Sequence, residues 1–230
     1  MNTPFISVIV PLYNTEKYID EALLSLLHQT YKIDQIIVID DGSTDKGAEI
    51  VKKYPQIELY QQENQGLKKT LNIGLSKATG DYIGFLDADD RWKLDKLEIQ
   101  LNHLQNNPAL DMVFGRSTRF KMIMDEKGKE KEELLDYVKA VYLSGGLYRK
   151  TVFERIGGFS TDSKLHNFID WFGRVKDAKL SILEIENVIC ERRIHGNNMG
   201  IINKDKQREE YLATLKASLD RRRAQENEKK

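Results

Sequence analysis

The sequence predicts an α/β fold, with a mostly parallel central sheet flanked by helices. Two observations carry that reading. Short β-branched apolar runs recur, FISVIV at 5–10, QIIVID at 35–40 and YIGFL at 82–86. Continuous apolar runs of this length fit strands buried on both faces, as in a parallel sheet. The stretches between them carry apolar residues at helical spacing. Parallel strands joined by helices stack into layers through right-handed crossovers.

The elements follow in order. Pro11-Leu12-Tyr13-Asn14-Thr15 breaks the first strand. Tyr18, Ile19, Ala22, Leu23, Leu26 and Leu27 then mark a one-sided helix. The second strand stops at Asp40-Asp41-Gly42-Ser43-Thr44-Asp45, whose composition suits a turn and a helix N-cap before a short helix over 48–53. A third strand covers 57–60. Leu67, Leu71 and Leu75 share a helical face, and Gly80 leads into the strand at 82–86. Leu94, Leu97, Leu101 and Leu104 give a further amphipathic helix, ended by Asn106-Asn107-Pro108. A strand is expected at 111–115. The charged stretch 116–133 reads as a solvated loop, with acceptor contact the less favoured alternative, and 134–143 as a helix. A strand at 147–149, a helical turn after Val152 and a loop at Gly157-Gly158 follow. Two strands are expected at 181–185 and 188–194. Tyr211, Leu212, Leu215 and Leu219 stripe a last helix, which suits docking on the domain or, less favoured, on a second copy of the chain. Beyond Leu219 little remains to bury, and fraying is expected.

Composition excludes several classes. Lys+Arg and Asp+Glu both number 36 in 230 residues, so no global attraction to nucleic acid is expected. The single cysteine, Cys190, excludes a disulfide framework and fits a buried thiol in a reducing compartment. No signal peptide or membrane-spanning run is legible, so a cytoplasmic location is expected.

The chemistry concentrates at GDYIGFLDADDRW, residues 80–92. An apolar strand ends in three carboxylates, Asp87, Asp89 and Asp90. Clustered acids are costly to desolvate unless a positive charge sits among them. Mg²⁺ or Mn²⁺ is the natural partner, since it is commonly held by one or two carboxylates plus substrate phosphates. An acidic turn capping the next helix is the plainer alternative. In open α/β sheets ligands lie outside the carboxyl ends of the strands, so the turns at 11–15, 40–45 and 87–90 should gather along one edge. Neither a Gly-x-Gly-x-x-Gly nor a P-loop signature is present, so a bound nucleotide would rely on carboxylates and a metal. Asp170, between Ile169 and Trp171-Phe172, suits a desolvated general base. It equally suits an ion pair with Arg174 one turn on. His195, in a Gly-Asn-Asn turn, is either structural or a metal ligand. Arg192 and Arg193 precede it on alternate faces, so one of them can reach a phosphate.

The blocks SVIVPLYNTEKYIDEALLSLLHQT, IIVIDDGSTD, NQG and ATGDYIGFLDADDRW, in that order, resemble the signature blocks of inverting family 2 glycosyltransferases with the Rossmann-like GT-A fold. GGF at 157–159, IDWFGR around Asp170 and RRIHGNNMG are similar to a subgroup. The resemblance implies a nucleotide-sugar half over about 1–110, an acceptor half over about 111–203, and a C-terminal helix and tail over 204–230. It implies that Pro11, Tyr13, Asp41, Lys68 and Asp87 bind the donor, with Asp41 pointing to UDP. Asp87, Asp89 and His195 would hold Mn²⁺ or Mg²⁺, and Asp170 would be the base. A saccharide or other hydroxyl compound would be the acceptor, and peripheral membrane association and a homodimer through the last helix are compatible with it. Two departures stand out. Asn167 and Phe168 occupy positions where many relatives carry Glu-Asp, and Leu71-Asn72 replaces an Arg-Asn, leaving Lys68 or Lys69 as a substitute. The departure before Asp170 motivates a rival reading, a non-catalytic nucleotide-sugar-binding or scaffold subunit. A nucleotidyltransferase is a third reading, which the Asp170 and His195 blocks do not favour.

Overall fold

The computed structural model describes residues 4–162, 166–196, 198 and 204–227, with side chains for 208–223 of the last segment. Asn197, the 201–203 start of the tail and the extreme 228–230 lie outside the described residues.

A nine-stranded sheet forms the centre. Its strands are β1 (Ile6–Leu12), β2 (Gln35–Asp40), β3 (Ile57–Gln61), β4 (Tyr82–Phe85), β5 (Arg91–Trp92), β6 (Met112–Met124), β7 (Glu130–Val138), β8 (Gly146–Arg149) and β9 (Ile182–Arg193). The order is β3-β2-β1-β4-β8-β6-β9-β5, with β7 paired to β6. Strands β1 to β4 pair in parallel, as do β6 and β9, whereas β5, β7 and β8 run against their neighbours. The expected parallel block is thus the first half of the sheet, and the second half is mixed.

Helices cover both faces. Helices α1 (Ile19–Leu27), α2 (Gly47–Val51) and α4 (Lys96–Asn106) close over a core that includes Val8, Val10, Leu23, Trp92 and Leu101. Helices α3 (Leu67–Lys77), α5 (Lys150–Ile156) and α6 (Asn167–Asp177) close over Ile9, Ile37, Phe85, Tyr148 and Trp171 on the other face. Alternate residues of β1 enter opposite cores, the arrangement a strand buried on both faces requires. Gly74 of α3 sits against Ile9, where an added Cβ would come within 2.3 Å of Ile9 Cγ2; the close approach of helix to strand needs glycine there.

Three expectations are corrected. The charged stretch 116–133 is ordered backbone: β6 continues to Met124 and turns at Gly128, φ 71°, into β7. The helix expected over 134–143 is replaced by the rest of β7 and a 3₁₀ turn at Leu143–Gly145. Cross-strand ion pairs, Arg119 with Asp136 and Lys121 with Glu133 at 2.8 Å, lie on the paired register of this hairpin; the charge run is a ladder of opposite charges. The two strands expected at 181–194 are one, β9, whose pairing with β6 shifts register around Arg116.

The last helix, α7 (Lys204–Asn227), continues past the expected fraying point. It packs on α6 by polar contacts. Thr214 is buried and its hydroxyl accepts from His166 N–H at 2.8 Å, while Arg221 and Arg222 pair with Asp177. Tyr211, Leu212, Leu215 and Leu219, the residues expected to dock, are exposed.

Candidate active site

The carboxyl edge of β1 and β2 is knitted by its own loops. Asn14, in the left-handed region at φ 51°, accepts from Thr44 N–H at 2.8 Å, and its own N–H donates to Ser43 Oγ. Asp45 accepts from Glu16 N–H at 2.7 Å. The two turns form one rim, on which Tyr13 projects with half its surface exposed and Pro11 is half-buried. Asp41 is buried beneath. One of its oxygens accepts from Gln62 Nε2 and Gln65 N–H, the other from Gly66 N–H, all at 2.8 Å. Asp41 therefore fixes the entry to α3, and of a carboxylate's roughly four lone-pair positions one remains for a ligand N–H. Lys68, in the first turn of α3, donates to Asp162 O at 2.6 Å.

The acidic turn after β4 lies beside this rim. Asp87 accepts from Ser144 Oγ at 3.1 Å. Burial, and then the Asp89 charge, push its carboxyl up from the ordinary range, against Arg192 and Ser144. Burial and the charges of Asp87 and Asp89 raise Asp90 further, against Arg192 and the Arg193 N–H bond. Asp89 Oδ2 lies 3.0 Å from His195 Nε2 and accepts from Asn198 Nδ2 at 3.2 Å. The imidazole stacks on Tyr18 with ring centres 4.6 Å apart. Strand β9 thus delivers His195 to the acidic turn, although the two are more than a hundred residues apart.

Arg192 was less legible. The sequence offered either arginine of the pair, and the structure separates them. Arg193 is committed: it donates to Asp89 O at 3.1 Å and pairs with Glu21. Arg192 faces Asp87 and Asp90, yet its Nε is 3.8 Å from Asp90 Oδ2, outside hydrogen-bond reach. That buried Nε has no hydrogen-bond partner among the described residues.

Asp170 lies elsewhere. It is 2 % exposed and held by Arg174 at 3.2 Å and by Arg221 of α7 at 3.1 Å. Arg174 also donates to Ile156 O at 2.5 Å and Gly158 O at 2.6 Å, which fastens the loop after α5. Asp170 lines a cavity of about 670 Å³ with Leu75, Ile83, Phe153 and Lys150, and none of Pro11, Tyr13, Asp41, Asp87, Asp89 or His195 lines it. Phe168 packs against Phe172 and Phe114.

These donors fit a divalent cation held largely by its substrate. Among the described residues no three His, Cys, Asp or Glu side chains form a ready-made cage. Asp89 and His195 nevertheless converge, and a cation there would offset both the burial that chiefly raises Asp87 and Asp90 and the repulsion among the carboxylates that adds to it. One or two carboxylates with diphosphate oxygens completing the shell is the usual magnesium arrangement.

Residues 7–172 match the family described as Glycosyl transferase family 2. The chain belongs to glycosyl transferase family 2. It is 44% identical over 184 residues to the glycosyltransferase GlyA of Streptococcus pneumoniae, covering 76% of this chain and 25% of that protein. It is 49% identical over 112 residues to an uncharacterized glycosyltransferase of Haemophilus influenzae, covering 46% and 45%. The chain thus spans less than half the length of these curated relatives. A crystal structure of S. aureus TarS 1-349 in complex with UDP-GlcNAc superposes with TM-score 0.68 at 23% identity, covering 84% of this chain and 60% of that one. The mannosyltransferase PcManGT of Pyrobaculum calidifontis, in complex with GDP-Man and Mn2+, gives 0.66 at 21% identity, covering 86% and 59%. These likenesses show the fold, a GT-A glycosyltransferase domain. No helix among the described residues is long and apolar enough to cross a membrane.

Proposed function

We propose that this family 2 domain binds a nucleotide sugar, with UDP the favoured nucleotide, at the carboxyl edge of β1, β2 and β4, and transfers the sugar with inversion to a hydroxyl acceptor. The observation that carries the reading is the convergence of Asp89 and His195 beside the raised carboxyls of Asp87 and Asp90. Asp89 and His195 would hold Mn²⁺ or Mg²⁺, with Asp87 behind them. Bound there, the cation supplies charge neutralisation for the departing nucleoside diphosphate. Tyr13 offers a flat face to the base, and the free lone pair of Asp41 suits an imide N–H such as that of uracil. Lys68 closes the donor side from α3. Arg192, with uncommitted donors, takes phosphate oxygens when the cation occupies the acids.

The base role expected of Asp170 is harder to support. Its two guanidinium partners and its separate cavity favour a positioning role, holding α6 against α7 and the loop after α5. That, with Asn167 and Phe168 ahead of it, favours a second reading: a domain that binds nucleotide sugar without turnover.

The test is thermal unfolding with UDP, with and without Mn²⁺. Saturating ligand should raise the midpoint by roughly 5–10 °C, and Asp89→Ala should abolish the Mn²⁺-dependent part. An unchanged Mn²⁺-dependent shift in that variant would overturn the site. Release of UDP from a UDP-sugar panel with Mn²⁺ separates enzyme from binding module.

A further inference from the structure

Three arginines stand around the acidic turn, and two of them are fully engaged. Arg91 donates two bonds of 2.6 Å to Glu132 of β7 and one of 2.5 Å to Glu191 of β9, and pairs with Glu21 of α1. Arg193 pairs with Glu21 as well and donates to Asp89 O. The Phe120 ring of β6 lies against both, 4.3 Å from Arg91 and 4.5 Å from Arg193. Arg192 differs. Burial works against its charge, and Asp90 and Asp87 support it. Among the described residues its closest carboxylate oxygen, on Asp90, stays at 3.8 Å, and its buried Nε bonds to nothing.

What seats Arg192 is a ring. Its guanidinium carbon lies 5.2 Å from the ring centre of Tyr142, within cation–π range. The ring is itself fixed. Tyr142 packs against the core that contains Trp92 and Cys190. Its hydroxyl is buried and has no hydrogen-bond partner among the described residues. Gly145 N–H donates to Tyr142 O at 3.1 Å, and a Cβ added at Gly145 would stand 2.8 Å from Tyr142 Cε1. Glycine at 145 therefore leaves the space that the ring fills. Between the two, Ser144 Oγ donates to Asp87 at 3.1 Å. One tight turn, 142–145, thus seats the arginine through Tyr142 and a carboxylate through Ser144.

We propose that Tyr142 is a positioning residue for donor binding, its ring aiming the Arg192 guanidinium at the diphosphate of the nucleotide sugar. The inference rests on the donor site proposed above and adds the residue that keeps Arg192 available to it. An arginine bonded to Asp90 would have its donors spent on that carboxylate. A guanidinium lying on a ring leaves its N–H groups uncommitted while its charge stays beside the acids. The ring acts through its face, so the hydroxyl is dispensable. Two effects of opposite sign follow. Arg192 attracts a diphosphate, and it repels a cation approaching Asp87 and Asp89. Loosening it weakens nucleotide binding and strengthens binding of the bare metal, whereas a general loss of structure weakens both.

The experiment uses the full chain in two titrations. UDP and uridine are compared by calorimetry, and Mn²⁺ alone is followed by the paramagnetic resonance of the free ion. Arg192→Met should weaken UDP at least tenfold, leave uridine within twofold and tighten Mn²⁺ severalfold. Tyr142→Leu should move UDP and Mn²⁺ in the same directions by a smaller factor, about three- to tenfold for UDP. The double variant should bind UDP no more weakly than Arg192→Met, because Tyr142 acts through that side chain. Tyr142→Phe should match the unaltered chain within twofold. Gly145→Ala, which crowds the ring without removing it, should resemble Tyr142→Leu and replaces it in the cycle if that variant does not fold. Unchanged UDP affinity in Tyr142→Leu overturns the inference and leaves the donor site standing. Additive losses in the double variant, an equal loss of uridine binding, or weakened Mn²⁺ binding overturn it too, since each marks Tyr142 as structural. An unaltered chain that binds neither UDP nor Mn²⁺ overturns the donor site itself and the positioning role with it.

Discussion

Lys96 shows how far one side chain can be pushed. It has no exposed surface, its ammonium donates to Gln100 and to Gly146 O, and it lies 4.2 Å from the Trp92 ring centre. Burial pushes its pKa down to about 7 from 10.5. Between those values the unfolded chain keeps a proton that the native state releases, so this residue makes stability rise with pH across that window. Lys96→Met should flatten the difference in urea-unfolding free energy between pH 7 and pH 10, by a few kcal/mol. An unaltered slope would mean that the ammonium is charged in the native state. Asp170 gives the second residue-scale expectation. Asp170→Asn leaves two arginines short of a carboxylate, and should cost about 2–4 kcal/mol of stability, somewhat reduced because both arginines are partly exposed. If stability is kept and only transfer is lost while UDP still binds, Asp170 is the base and the positioning role is wrong. Sequence spacing offered both roles for Asp170. Arg221, which tips the balance, lies 51 residues away, and no local pattern connects them.

At the scale of elements, legibility followed burial. Strand β2 was readable to the residue because all six of its side chains are buried. Hairpin strand β7 was misread because its side chains are exposed or half-buried, so the alternation that marks a strand is absent. Its pairing is held by ion pairs, which a composition scan reads as solvated charge. The α7 stripe failed for a related reason. An apolar row was taken for the docking face, but buried Asp170 and half-buried Asp177 hold the arginines of α7, and the leucines stay exposed. The acidic turn was legible because three carboxylates ending an apolar strand conflict with burial. The hairpin also yields an expectation. Glu132→Gln weakens one grip on Arg91, so amide exchange in 121–133 should quicken several-fold while β1 and β2 keep their protection. Unchanged exchange would show that Phe120 and the β6 ladder suffice to hold the arm.

At the scale of the molecule, the chain path decides whether the two halves implied by the resemblance are separable. β5 comes from residues 91–92, yet it lies at the far end of the sheet beside β9. β4, the last parallel strand of the first half, is covered by β8 from 146–149. Trp92 enters the core beside Val113 and Leu147, and its indole N–H donates to Ser144 O at 3.1 Å. A cut near residue 110 would strip β4 of a neighbour, leave β5 without its partner and expose the Trp92 side of the core. The acidic turn at 87–90 sits between those two strands, so its geometry depends on both halves. A 1–110 fragment should therefore lack a cooperative unfolding transition by circular dichroism, and Mn²⁺ with UDP should not induce one. The full chain should melt in one step, with far-ultraviolet and tryptophan signals coincident, since Trp92 and Trp171 report opposite faces of the same sheet. A fragment that unfolds sharply by itself would show that the N-terminal half is an independent unit and that the interleaved strands are an accessory to it.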